Sequence, residues 1–137
     1  MFEKIASKLR GCSPDVCQPI IELAVEIARE GREGRRIGTL FTIGDATSVL
    51  AHSRPLILDP IAGHPAEARS IRNDDLRGTL KELAQLDGAF IFDETGSLVA
   101  GCRYLHATAS DIQLQMGLGS RHLAAASITK VTRTIGI

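Results

Sequence analysis

Apolar residues recur every three or four positions over residues 19–30, which is the spacing of an amphipathic helix. Ile20, Leu23 and Ile27 mark the stripe that would face a core. Gly31 follows, and glycine commonly ends a helix because it adopts left-handed backbone angles without a steric penalty. The pattern therefore predicts a helix that ends at about residue 30, before an arginine-rich connection.

Short apolar runs replace this helical period downstream. Residues 37–45 (IGTLFTIGD) are rich in β-branched side chains and end in Gly-Asp, which is typical of a buried strand that enters a turn. A short helix is predicted over residues 46–52 and a second strand over residues 55–58. Prolines, glycines and charges interrupt residues 59–71, so this segment is predicted to be a loop.

The second half of the chain begins with a further helix signal. Asn73 and the acidic residues after it predict an N-cap and first turn for a helix over residues 75–86. Two apolar stretches, residues 88–92 and 97–103, then flank a Glu-Thr-Gly turn. Together they predict a β-hairpin.

The C-terminal segment predicts one helix and the start of one strand. Ser120 is a candidate cap for an alanine-rich helix through residue 132, and residues 135–137 are apolar enough for a strand. The alternation of helices and strands predicts a single α/β domain with a central mixed, twisted β-sheet surrounded by helices.

Composition narrows the class of protein without naming its chemistry. The chain has 137 residues, of which 44% are hydrophobic and 23% charged, and this indicates one soluble globular domain. Sixteen basic residues balance sixteen acidic ones, so net charge gives no indication of binding to nucleic acid or to a membrane. Because no signal peptide or membrane-length apolar window is visible, we expect a cytoplasmic protein.

The three cysteines are not spaced as a zinc-finger or secreted disulfide framework. Cys12, Cys17 and Cys102 are therefore expected to be buried or incidental thiols. A metal or redox role for the first two is the alternative.

The first candidate for chemistry is the segment Leu86-Asp87-Gly88-Ala89-Phe90, between a predicted helix and a predicted strand. Its carboxylate can cap a turn, ligate a divalent metal or accept a proton from a hydroxyl. Its glycine permits a ligand to approach the backbone closely. The residues alone leave these alternatives open.

The second candidate is residues 117–122 (GLGSRH), a glycine-rich segment that enters the alanine-rich helix. Such a junction offers free backbone N–H groups and the positive end of a helix dipole, which favour an anion. Ser120 adds a hydroxyl, and Arg121 adds a guanidinium that grips phosphate oxygens. The alternative is an ordinary capped helix that leaves Arg121 and His122 in solvent.

Taken together, Asp87-Gly88-Ala89 and Gly119-Ser120-Arg121-His122 resemble the diadenylate cyclase domain family. That family is marked by an Asp-Gly-Ala motif and a Gly-Thr-Arg-His-Arg motif. The resemblance implies one such domain over residues 1–137, with an N-terminal helical region at 1–36 and a catalytic core at 37–137. The family continues into a strand and a Ser-Glu turn that contact ATP, so we expect the core to be incomplete at its C-terminus.

The resemblance implies condensation of two ATP molecules into cyclic di-AMP with release of pyrophosphate. It also implies Mg²⁺ or Mn²⁺ as cofactor, and a homo-oligomer in which two facing protomers each hold one ATP. Asp87, Arg121 and His122 would be the catalytic residues, with Asp87 binding the metal and activating a 3′-hydroxyl. Neither nucleic acid nor membrane would be a partner.

The same resemblance implies a wider set of ATP-binding residues. These residues would border the base, let the nucleotide lie against the protein backbone, or contact the phosphates: Asp87, Gly88, Ala89, Leu105, Gly119, Ser120, Arg121 and His122. Tyr104, the only tyrosine, is a candidate to stack on the base or to pack at the rim.

One position departs from the family pattern. Leu123 stands where the second motif commonly ends in arginine, and Lys130 or Arg133 are candidates to supply that contact. The alternative function is a non-catalytic module that binds a nucleotide or cyclic dinucleotide. A third interpretation is a protein-interaction domain in which the glycine segment only caps a helix.

Overall fold

The structure, a computed structural model, describes residues 12–106, 116–117 and 119–137. Part of the predicted N-terminal helical region, residues 1–11, and Leu118 of the candidate segment 117–122 lie outside the described residues. The helices are α1 (Pro14–Glu30), α2 (Ala46–Ala51), a 3₁₀-helix (Ala66–Arg69), α3 (Asp74–Leu83) and α4 (Ser120–Val131). The strands are β1 (Leu40–Ile43), β2 (Ser53–Pro55), β3 (Ala89–Phe92), β4 (Leu98–Leu105) and β5 (Ile135–Gly136).

The strands form one five-stranded sheet in the order β2-β4-β3-β1-β5. Strands β1 and β3 are parallel, whereas the other neighbouring pairs are antiparallel. The predicted hairpin is β3 followed by β4, and the apolar segment at 135–137 pairs with β1. The predicted fold class, an α/β domain with a mixed sheet surrounded by helices, is confirmed.

Two faces of the sheet carry side chains of different size. On β3, Phe90 and Phe92 belong to one buried cluster and Ala89 and Ile91 to the other, because side chains alternate along a strand. The first cluster, which also contains Phe41, is covered by α1 and α3, and we call it the phenylalanine face.

We call the opposite side, covered by α2 and α4, the alanine face. Ala89 and Ala100 of the sheet are buried in the cluster on this side, and Ala124 and Ala125 of α4 pack against that cluster. Val49 of α2 completes this cluster together with larger residues of the sheet and of α4. Small side chains on both layers leave space between α4 and the sheet.

Helix α1 begins five residues before the predicted start. Ser13 is its N-cap, with its Oγ accepting a hydrogen bond from Asp15 N at 3.3 Å, and Pro14 follows at the first helical position. Pro19, which we expected to open the helix, lies inside it. The predicted end is confirmed, because Gly31 has φ +58° and donates its N–H to Ile27 O at 3.0 Å.

The expectation of incidental thiols is wrong for two of the cysteines. Cys12 and Cys17 form a disulfide across the start of α1, with their Cα atoms 6.6 Å apart. Cys102 is a free, buried thiol, as expected. No cluster of three or more potential metal ligands occurs among the described residues, so the metal alternative finds no support there.

Two further boundaries differ from prediction. Strand β2 covers Ser53–Pro55 instead of residues 55–58, because its pairing with β4 runs only from Ser53 to Pro55. Leu56 N still donates to Cys102 O of β4, at 3.1 Å, but the apolar residues after it leave the sheet, and Leu58 is 94% exposed. At α4 the N-cap is Gly119, and Ser120 is the first helical residue. In the part of the chain that the structure describes, no helix has the length and apolarity needed to span a bilayer.

Candidate functional site

Two adjoining cavities open where α4 begins, and they share Leu40, Ser120 and Arg121. The first cavity has a volume of about 260 Å³, and the second of about 300 Å³. The first is lined by Leu40, Leu56, Asp87, Gly88, Ala89, Arg103, Tyr104, Leu105, Ser120, Arg121 and Ala124. The second is lined by Gly38, Thr39, Leu40, Gly119, Ser120, Arg121, His122, Ala125 and Ile137.

The chain reaches the first cavity through a tight junction between α3 and β3. Gly88 has φ +102°, and a Cβ built on it would lie 2.6 Å from the carbonyl carbon of Cys102 and 2.7 Å from Arg103 N. Glycine is therefore required by the close approach of β4, in addition to any approach of a ligand. The preceding carboxylate is left pointing outward, since the Asp87 side chain is 87% exposed.

Strand β4 reaches the cavity after an irregularity. The pairing register between β3 and β4 shifts between Ala89 and Ile91, and Cys102 has φ +53° although it is not glycine. Such shifts re-aim the side chains that follow them. Here Tyr104 and Leu105 come after the shift and both line the cavity. Burial raises the pKa of the Cys102 thiol, so this residue acts as a small apolar side chain.

The start of α4 provides a site for negative charge. The first N–H groups of a helix have no partner within it and form the positive end of its dipole. Gly119 N–H is an exception, because it donates to His122 Nδ1 at 3.3 Å. Ser120 and Arg121 lie beside the remaining donors and line both cavities.

An ion pair joins the two sequence motifs across the cavity. Arg121 Nη2 lies 3.1 Å from Asp87 Oδ1. Arg121 also lies along the backbone before β1, where a Cβ on Gly38 would be 3.3 Å from its Nη1. The guanidinium of the second motif thus sits between the carboxylate of the first motif and a glycine that leaves room for it.

The structure brings all of the predicted site residues to these two cavities. Gly119 and His122 line the second cavity, and the other predicted residues line the first. Tyr104 lines the first cavity as well. Leu123 is 46% exposed and lies in neither lining. Lys130 is ten residues along α4 from Ser120, a distance of about 15 Å at the usual helical rise.

Sequence reasoning missed other residues of the lining. Leu40, Leu56 and Ala124 are apolar residues from separate segments, and nothing in the sequence links them to the motifs. Arg103 carried a usable signal, since it is a cation inside an apolar strand. Its guanidinium donates to Ser53 Oγ at 3.0 Å and to Ser53 O at 3.2 Å, which fixes β2 against β4.

The donor set suits a divalent cation that is shared with a ligand. Among the residues that the structure describes, Asp87 is the single carboxylate in the lining of the first cavity. One carboxylate cannot hold Mg²⁺ alone, but Mg²⁺ commonly binds through one or two carboxylates together with substrate phosphates. The residues present therefore fit a metal that arrives with a phosphate-bearing ligand.

Comparison with known protein families gives a match that covers most of the chain. Residues 26–137 match the family model described as DisA bacterial checkpoint controller nucleotide-binding. This span contains both sequence motifs and every residue that lines the two cavities.

Two curated archaeal proteins are similar to this chain, and both are named diadenylate cyclase. The protein of Methanocaldococcus jannaschii is 50% identical over 118 residues, which cover 86% of this chain and 37% of that protein. The protein of Haloferax volcanii is 37% identical over 125 residues, which cover 90% of this chain and 45% of that protein. The chain thus spans less than half the length of these relatives. No solved structure matches it.

Proposed function

The chain belongs to the DisA nucleotide-binding (diadenylate cyclase domain) family, and from this premise we propose that it condenses two ATP molecules into cyclic di-AMP. Each 3′-oxygen attacks the α-phosphorus of the other ATP. The bond from that phosphorus to the bridging oxygen of the β-phosphate breaks, so two pyrophosphates leave, and each 3′-hydroxyl loses its proton.

The observation that carries the proposal is the pairing of Asp87 with Arg121 at 3.1 Å, at the mouth of the first cavity. A phosphoryl transfer needs a group that orients and deprotonates the nucleophile and a cation that stabilises charge on the phosphate. Asp87 supplies the first and Arg121 the second. When a nucleotide binds, its phosphates and hydroxyl replace the ion pair as partners of the two side chains.

The remaining lining supports one nucleotide in an extended arrangement. Leu105, Ala89 and Tyr104 offer an apolar wall for the base in the first cavity. The phosphates then extend past Ser120 and Arg121 toward His122 and Gly119 in the second cavity. The N-terminus of α4 stabilises their negative charge.

The size of the cavity supports a site shared between two copies of the chain. A volume of about 260 Å³ lies just below the usual range for a small-molecule pocket, about 300–1,000 Å³, so one such cavity would not hold two ATP molecules. Asp87 is exposed at its mouth, so the second ATP can be presented by a facing protomer. A homo-oligomer therefore supports the reaction, and neither nucleic acid nor membrane is required.

Asp87 would hold the divalent cation, Mg²⁺ or Mn²⁺, which when bound neutralises the triphosphate. We keep the cytoplasm as the proposed location.

The test is to incubate the purified chain with ATP and Mn²⁺ or Mg²⁺ and to measure cyclic di-AMP and pyrophosphate in a ratio of one to two. Asp87→Asn is expected to lower the rate by about 100-fold or more, because it removes the proton acceptor and weakens metal binding. Asp74→Asn, an exposed carboxylate at the start of α3, is the matched control for charge and should keep the rate. If Asp87→Asn kept full activity, the role given to Asp87 would be wrong.

The alternative, a non-catalytic nucleotide-binding module, is favoured by Leu123 at the position of the family's second arginine. It predicts thermal stabilisation by ATP or cyclic di-AMP and no release of pyrophosphate with either metal. A rate per protomer that rises with protein concentration would instead support the facing pair of protomers.

A further inference from the structure

The aromatic ring at the first cavity has a cationic partner on the edge strand. The guanidinium carbon of Arg54 lies 4.8 Å from the centroid of the Tyr104 ring. A cation at this distance from a ring face is attracted by the ring's quadrupole. Strand pairing sets the contact, because Arg54 of β2 is directly opposite Tyr104 of β4.

Tyr104 is open to a ligand, because the residue is 46% exposed and forms part of the cavity wall. A ring has two faces, and the guanidinium occupies one of them. An exposed tyrosine without such a partner would sample several rotamers, and ordering it on binding would oppose affinity.

The Arg54 guanidinium serves no other contact in the part of the chain that the structure describes: neither an ion pair nor a hydrogen bond of this group occurs there. Strand β2 does not depend on it. Arg103 holds Ser53 through two hydrogen bonds, and the backbone bond from Leu56 N to Cys102 O, at 3.1 Å, ties the strand's far end. Removing the Arg54 charge should therefore leave the strand in place.

We propose that Arg54 is a positioning residue for base recognition, which holds the Tyr104 ring so that its other face stacks on the purine base of the nucleotide. The proposal rests on the proposed function, since it takes an adenine nucleotide as the ligand. Arg54 acts through Tyr104 and contacts neither the phosphates nor the reacting atoms.

The sequence supplies its own probe for this proposal. Tyr104 is the only tyrosine and the chain has no tryptophan, so tyrosine fluorescence reports on this ring alone. Adenosine, ATP and inorganic tripolyphosphate are titrated separately into the wild-type chain and its variants. The anisotropy of the emission in the free protein measures the mobility of the ring.

Arg54→Ala is expected to raise the Kd of adenosine and of ATP by about two- to fivefold, the range of an exposed cation–π contact. KM for ATP should rise by the same factor while kcat stays within about twofold, and the anisotropy should fall. Binding of tripolyphosphate should not change. Arg54→Lys should recover part of the loss, because an ammonium still interacts with the ring. If Arg54→Ala folds poorly, Arg54→Met keeps the aliphatic stem, and the same results are expected of it.

Arg29→Ala, which removes an exposed arginine from α1 beneath the opposite face of the sheet, is the matched control for net charge and should change none of these readings. Weaker tripolyphosphate binding in Arg54→Ala would mean that Arg54 acts on the phosphates and would overturn the proposal. Unchanged adenosine binding and anisotropy would overturn it while the proposed function stands. A wild-type chain that binds no adenine nucleotide would overturn both.

Discussion

The phenylalanine face and the alanine face use the same sheet for different ends. On the phenylalanine face, three aromatic rings pack edge to face or tilted, with Phe41 within 6.0 Å of both Phe90 and Phe92. On the alanine face the matching positions of β3 and β4 carry Ala89 and Ala100. One face is filled, and the other leaves the space that becomes the first cavity.

The contrast shows how a small domain separates stability from binding. Burial of large apolar side chains is the main favourable term in folding, and it is concentrated where α1 and α3 cover the sheet. The alanine face gives up part of that burial near α4, and both motifs open onto the resulting gap. Substitutions on the two faces should therefore have separable effects on stability and on nucleotide affinity.

The largest effect on stability is expected on the phenylalanine face. Phe90 is fully buried against Phe41, and Phe90→Ala should lower the free energy of unfolding by about 3–5 kcal/mol, because it leaves a cavity that the neighbours cannot close. Urea denaturation followed by circular dichroism measures the loss. Leu58→Ala, at a residue that is 94% exposed, is the control and should change stability by less than about 0.5 kcal/mol. Equal losses in the two variants would contradict the division between the faces.

The same division explains which parts of the molecule could be predicted from sequence. The apolar run at residues 88–92 and the caps at Asn73 and Gly31 are local signals, and the elements that they predict are present. The start of α1 was missed because Pro19 masks the stronger Ser13–Pro14 signal. The shift of β2 depends on its register with β4, a non-local pairing that no local pattern contains.

Motif residues of the candidate site could be named in advance, and so could Leu105 and Tyr104 of its apolar wall, but the rest of the wall could not. Asp87 and Arg121 carry charges in unusual local settings, and the sequence therefore draws attention to them. Leu40 and Ala124 are ordinary apolar residues that become part of a cavity only when α4 is placed over the sheet. A role for Arg54 could not be predicted for the same reason, since it depends on Tyr104, the residue opposite it in the strand pairing.

The second-largest effect on stability is expected at the disulfide at the start of α1, one of the helices that cover the phenylalanine face. Closing the short loop between Cys12 and Cys17 restricts the unfolded chain and is expected to contribute about 2 kcal/mol by the chain-entropy relation. Reductant should lower the melting temperature of the wild-type chain accordingly. Cys12→Ser should melt at the lower temperature and no longer respond to reductant, because the remaining cysteines, Cys17 and Cys102, are both buried. A wild-type chain that is indifferent to reductant would contradict this prediction.

A larger side chain on the alanine face should lower ligand affinity while leaving stability almost unchanged. Ala124 lines the first cavity from α4, and Ala124→Leu adds a side chain that occupies space needed by the ligand. We expect adenosine affinity, measured by Tyr104 fluorescence, to fall about tenfold or more, equivalent to about 1.4 kcal/mol. The melting temperature should change little, since the added atoms enter a gap. Ala126→Leu, on the same helix but outside both linings, should keep the affinity, and a comparable loss there would remove the special role of the cavity.

The smallest effect is expected at the ion pairs between α1 and α3, the two helices that cover the phenylalanine face. Glu26 lies 2.9 Å from Lys81 and 3.2 Å from Arg77, and the hydrogen bond from Lys81, with both cations nearby, holds the pKa of the Glu26 carboxyl below its usual range. The depressed pKa means that this stabilisation is complete above the carboxyl's ordinary pKa and is lost as pH falls through the folded value.

Because these side chains are partly exposed, Glu26→Gln should destabilise by roughly 0.2–1 kcal/mol at pH 7. Glu22→Gln, one turn earlier on α1 and bonded only to Gln18 among the described residues, is the matched control. Thermal melts should show the gap between wild type and Glu26→Gln narrowing at acidic pH, and a gap that persists below the lowered pKa of Glu26 in the folded chain would show that packing, not charge, links the two helices there.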